Sequence, residues 1–197
     1  MKKILSLLIV CMISITAAAQ LSEADRTFAV NYLMATHQNI VETVSDLDDD
    51  AFNWKPADGG WSVANSFEHI LTTEAAFHGM VQGGVANNDA DPELDKAMAD
   101  GMLLSMMSDR GTRVTTIPNF EPSGKWTTKA EMLSALEESR TMLAEYLQNT
   151  DDDLRHYKME IPIGELDGYQ IYLLIASHSY RHTSQMKEAL AEMAESM

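Results

Sequence analysis

Four long stretches of this 197-residue chain repeat apolar residues at helical spacing, and no convincing period-two alternation competes with them. The first follows Ser22, a good helix-capping residue, with Glu23 and Asp25 in the opening turn where a helix dipole favours negative charge. Its stripe is Val30, Leu33, Ile40, Val44 and Leu47, with Asp48, Asp49 and Asp50 near its end. Lys55-Pro56 and Gly59-Gly60 then break the chain. The second stretch opens at Ser62 with Trp61 just outside it. It carries Val63, Phe67, Ile70, Leu71, Phe77 and Val81, and is expected to stop at Gly83-Gly84. The third begins at Thr127 or Thr128, where Thr128 and Glu131 make a capping box, and carries Met132, Leu133, Leu136, Met142, Leu143 and Leu147. The fourth spans about 168–193.

Helices with one apolar face must bury it against one another, so the expected fold is all-α, a four-helix bundle. A short helical insertion is expected between the second and third long helices, because residues 93–107 are rich in methionine and read as one or two short helices. Asn87-Asn88-Asp89, Asp91-Pro92 and residues 118–124 read as loop. Residues 161–164 read as a connector with a strand-like residue or two.

The start of the chain has the pattern of an export signal. Lys2 and Lys3 precede an apolar run over residues 4–15, and Ala17-Ala18-Ala19 offers small residues where a signal peptidase cuts. The run is shorter than the roughly 20 apolar residues that span a bilayer, so a retained anchor is disfavoured. Residues 1–19 are therefore predicted to be a signal peptide, and residues 20–197 one exported domain, periplasmic or secreted. Cleavage removes Cys11, the single cysteine, and with it any disulfide, thiolate nucleophile or cysteine-ligated metal. The formal net charge of −16 becomes more negative still when Lys2 and Lys3 leave. Such a surface repels phosphate backbones and anionic lipid, which argues against nucleic acid and, after cleavage, against membrane as partners. A small-molecule substrate or ligand is the expected partner. A homodimer is carried as the expected assembly, although no residue pattern specifies one.

Chemistry concentrates in the histidines, of which there are six. On the last helix one face reads Ile171, Leu174, Ile175, His178, His182, Gln185, Met186, Ala189 and Met193, so two imidazoles stand where the pattern calls for core. Residues four apart on a helix lie about 5–6 Å from each other at Cβ, and both rings can turn to one ion. Buried polar rings need partners, and a metal or a set of hydrogen-bonding neighbours would each serve. A metal needs a third ligand from another helix, and spacing alone does not choose among His37, His69 and His78.

The segment Trp61-Ser62-Val63-Ala64-Asn65-Ser66-Phe67-Glu68-His69-Ile70 resembles the opening of the second helix in DinB-like proteins, the metal-binding four-helix bundles that include the YfiT-like group. The likeness extends to Pro56, to Glu74, and to His178-Ser179-Tyr180-Arg181-His182 with Gln185. It implies a metal held by His69, His178 and His182, and leaves His37, His78 and His156 as structural or surface residues. One departure is Asn65, where many relatives carry an acid.

Three neutral imidazoles around a tetrahedral ion leave one position open, as in catalytic zinc sites, where water becomes a nucleophile near neutrality. Zinc and nickel both suit imidazole donors, so the expected cofactor is one divalent ion, zinc or nickel. Glu74 is the candidate to orient a ligand ring or act as general base, with Glu68 the other near carboxylate, and Arg181 is the candidate to meet a substrate carboxylate. The resemblance implies a metal-dependent hydrolase acting on a small molecule. A non-catalytic metal or ligand module and a thiol transferase are the alternatives, the latter disfavoured by export.

Overall fold

Ser22, Ser62 and Thr128 each cap the helix that the sequence assigned to them. In the computed structural model, which describes residues 21–96, 98–112 and 114–196, the Ser22 hydroxyl accepts from the Asp25 amide at the head of α1 (Glu23–Val44). Ser62 accepts from the Asn65 amide at the head of α3 (Val63–Asn87), and the Asn65 side chain returns the bond to the Ser62 amide. Asn65 thus closes a capping box with its side-chain amide oxygen. Thr128 and Glu131 close a second box at α5 (Lys129–Asn149). The last long helix is α6 (Gly168–Ser196). Residues 1–19, the proposed export segment, lie outside the described residues.

Four expectations need correction. Asp48 does not trail the first helix; it caps a separate five-residue helix, α2 (Asp49–Asn53), by accepting from the Ala51 amide. Gly83 and Gly84 do not end α3, which runs on to Asn87. A Cβ at Gly84 would stand 2.5 Å from the end of the Met159 side chain, so this glycine serves close packing rather than termination. Of the one or two short helices expected in the methionine-rich stretch, one is found among the described residues, α4 (Asp100–Ser108), which starts later than expected. Asp100 at its start is held by Arg155 and Gln170, so tertiary bonds fix where the helix begins. Residues 158–167 form a hairpin of β1 (Lys158–Ile161) and β2 (Gly164–Asp167), antiparallel with Lys158 opposite Asp167 and joined through Pro162-Ile163.

Contacts along the helices fix their order and direction. α1 runs parallel to α6, with Tyr169 donating to the Asp25 carbonyl near their starts and Lys187 to Asn39 further along. α1 is antiparallel to α5, where Arg26 meets the Leu147 carbonyl and Lys129 the Ser45 carbonyl. α3 is antiparallel to α6 and parallel to α5. The close pairs are α1 with α5 and α6, and α3 with α5 and α6, so α1 and α3 face each other across a diagonal. α4 and the hairpin pack beside α6.

The interior is two apolar clusters with a polar layer between them. One holds Leu33, Val81, Leu143, Leu147 and Tyr172; the other holds Ile40, Phe67, Ile70, Leu136 and Met186. Between them in sequence on all four helices come Thr36, Glu74, Arg140 and Ser179, all buried. Arg140 donates to the Leu33 carbonyl and Thr36 hydroxyl of α1, to Glu74 of α3 and to Ser179 of α6. Ser139 and Ser179 complete the shell of Glu74 by donating to its two oxygens. One guanidinium therefore ties the four long helices together at mid-height.

Candidate metal centre

At that same height α3 and α6 bring three imidazoles together. His69 lies about two turns beyond the Ser62 cap, and the fixed helix start sets which side of α3 it occupies. His178 and His182 occupy successive turns of α6, on the face turned to α3. One nitrogen from each of the three rings lies within 4.8 Å of the others. The ring centroids are 4.4 to 4.9 Å apart, and the Nε2 atoms of His69 and His178 are separated by 3.2 Å.

The other nitrogen of each ring is already engaged. His69 Nδ1 lies 2.7 Å from the Phe120 carbonyl, which can only accept, so this nitrogen carries the hydrogen. The Thr73 hydroxyl donates to the His69 and Ile70 carbonyls, which leaves its lone pair for His178 Nδ1 at 3.4 Å. His182 Nδ1 faces the Gln185 amide oxygen at 2.9 Å. His69 is thus the Nδ1–H tautomer, and with the same tautomer at His178 the two Nε2 lone pairs face each other directly. Tetrahedral ligand atoms at zinc–nitrogen distances of 2.0–2.1 Å stand about 3.3 Å apart, so this spacing fits two donors sharing one ion. A cation between them would bind both lone pairs, whereas a hydrogen on either Nε2 would make the same contact a hydrogen bond.

Burial keeps the rings neutral. It pushes His178 well below the usual imidazole range, with His182, His69 and Arg181 adding to the effect. Burial, reinforced by His69, brings His182 down to about 3. His69 is lowered by burial and partly restored by the Phe120 carbonyl. Neutral imidazole is the form that ligates. Aromatic rings line the group: Trp61 stacks on His182 with centroids 6.0 Å apart and lies 4.8 Å from His69, and Phe77 meets His178 edge-on.

A sequence model of the DinB superfamily matches residues 32–186. The chain belongs to the DinB superfamily. This family member is also similar to a solved structure, YfiT from Bacillus subtilis, "a probable metal-dependent hydrolase with an unusual four-helix bundle topology". The two share 15% identity over 89% of this chain and 91% of that one, with a TM-score of 0.56, a likeness of fold. Comparison with curated proteins brings no significant match. The bundle order found above, with consecutive long helices α1 and α3 on a diagonal, is the fold in which this DinB-family chain places its histidines.

The structure gives the two residues named for catalysis other partners. Both oxygens of Glu74 are taken by Arg140, Ser139 and Ser179, so it acts as the counter-ion of a buried arginine. Arg181 donates to the Asp109 and Thr112 carbonyls, which fastens the segment after α4 to α6. Glu68 is buried and accepts from the amides of Ser123, Gly124 and Lys125. The remaining histidines are separate from the trio: His37 pairs with Glu137, His78 with the Tyr172 hydroxyl, and His156 with Asp153. Sequence reasoning missed the roles of Phe120, Thr73 and the 120–125 segment. A backbone carbonyl carries no sequence signature, and Thr73 reads as one more helix residue.

Proposed function

We propose that this DinB-family chain is an exported metal-dependent hydrolase acting on a small molecule, with His69, His178 and His182 holding one divalent ion, zinc or nickel. The observation that carries this reading is three imidazoles from two helices with one nitrogen from each gathered within 4.8 Å, while Nδ1 of each ring has a partner on the outer side. Such an ion supplies Lewis acidity and a water activated near neutrality. The protein's own share is to hold the rings: Phe120, Thr73 and Gln185 fix their tautomers, and Trp61 and Phe77 wall them with apolar surface. The description of YfiT as a metal-dependent hydrolase and the shared fold support the activity class. The basic, apolar and small-residue start of the chain supports export.

A second reading has a specific observation behind it. Glu68 and Glu74, the near carboxylates, are both spent on structural bonds, which favours a metal or ligand module that catalyses nothing. Metal analysis of protein expressed without a polyhistidine tag, joined to a broad ester and amide screen, separates the two. About one ion per chain with metal-dependent turnover, both lost in His178→Ala, supports the hydrolase. An ion with a silent screen supports the metal-binding module, and no bound ion overturns the hydrolase and the metal module alike.

A further inference from the structure

Glu68 is a carboxylate buried beside a candidate ligand, yet its bonds go to a different part of the chain. Its Oε1 accepts from the Ser123 amide at 2.8 Å, the Ser123 hydroxyl at 2.9 Å and the Lys125 amide at 3.0 Å, and its Oε2 accepts from the Gly124 amide at 3.0 Å. Three successive amides converge on one side chain because Gly124 takes a φ of +78°, a left-handed turn that glycine adopts without strain. Burial pushes the Glu68 carboxyl up, but the backbone amides and the Ser123 hydroxyl outweigh it and hold it below the usual range.

The segment so gripped begins at Phe120, whose carbonyl takes the Nδ1 hydrogen of His69. Pro118–Phe120 is a single 3-10 turn closed by a bond from the Glu121 amide to the Pro118 carbonyl, so Phe120 is set between two fixed points. We propose that Glu68 is a positioning residue for its neighbour. It clamps residues 123–125, the clamp sets the Phe120 carbonyl, and the carbonyl fixes the tautomer and direction of the His69 ring. The consequence for metal affinity rests on the three-histidine reading; the consequence for the His69 ring does not.

The experiment uses the full chain and two variants that weaken the same clamp from opposite sides, Glu68→Gln and Gly124→Ala. Nitrogen-15 NMR of metal-free protein should show His69 in wild type as one tautomer with a slowly exchanging Nδ1 hydrogen. Both variants should show mixed tautomers and fast exchange. Zinc competition against a chelator should read about 10–100-fold weaker binding in the variants, the usual effect of losing a group that orients a ligand. Glu131→Gln is the control, since Glu131 also gathers amides, those of Thr127 and Thr128, but leads to no histidine. It should leave both readouts at wild-type values. An unchanged His69 tautomer in both variants overturns the clamp, and Gly124→Ala decides alone if Glu68→Gln does not fold. If wild type takes up no zinc while the variants still free the His69 hydrogen, the clamp stands and the metal reading falls. Wild-type zinc affinity and a wild-type ring in both variants leave the metal reading standing without the clamp.

Discussion

Arg140 donates to Glu74 where neither side chain reaches solvent, their exposures being 0% and 1%. A guanidinium in such a place depends on its partner. Breaking a buried pair by removing one member strands the other charge, which costs about 3–5 kcal/mol. Glu74→Ala is therefore expected to lower the unfolding free energy by that amount, read as a lower urea midpoint at an unchanged m-value. A general base would behave otherwise: Glu74→Gln would keep its stability and lose turnover.

The three imidazoles make a prediction in pH. Their folded pKa values lie below the ordinary 6.5, His182 at about 3. Between 6.5 and those values the unfolded chain binds protons that the native metal-free protein does not. Stability is therefore full above 6.5 and falls as pH drops through this window, by about 1.4 kcal/mol per pH unit for each fully differential proton. Denaturant titration of metal-free protein from pH 7 to 4 measures the slope. A flat profile would mean that the rings titrate alike in both states.

Gln185 offers a neutral oxygen to His182, at the place where many metal-ligating histidines meet a carboxylate. Gln185→Ala should weaken zinc binding about 10–100-fold, and Gln185→Glu should tighten it by making the ring a stronger donor. Chelator competition reads both. The same affinity in all three proteins would remove Gln185 from the site's support.

Arg181 supplies two charged hydrogen bonds to the backbone after α4. Arg181→Met is expected to cost about 1.5–3 kcal/mol. It should also speed limited proteolysis within residues 109–125. Loss of turnover with no change at the proteolytic sites would instead return Arg181 to the reaction.

Much of the bundle was legible because its signals are local. Ser22, Ser62 and Thr128 announce helix starts through their own side chains, and the stripes through Leu33, Phe67 and Leu136 repeat at 3.6 residues. His178 and His182 stood out as polar residues on an apolar face. What the sequence concealed depends on contacts between distant segments. Gly84 reads as a breaker until Met159 is seen against it. Glu74 reads as a partner of the histidines and Arg140, 66 positions on, carries no signal of its own, although each sits where its stripe crosses the polar layer. The family likeness, not spacing, singled out His69 among three histidines.

The diagonal placement of α1 and α3 has a consequence for how a newly made chain matures. α3 and its histidine leave the ribosome well before the two rings they must meet, which belong to α6. No truncated product ending before residue 178 can assemble the trio, however well its first helices associate. On the three-histidine reading, any ion would enter only after His182 has been made, so the compartment in which α6 folds onto α3 would decide which ion is taken up.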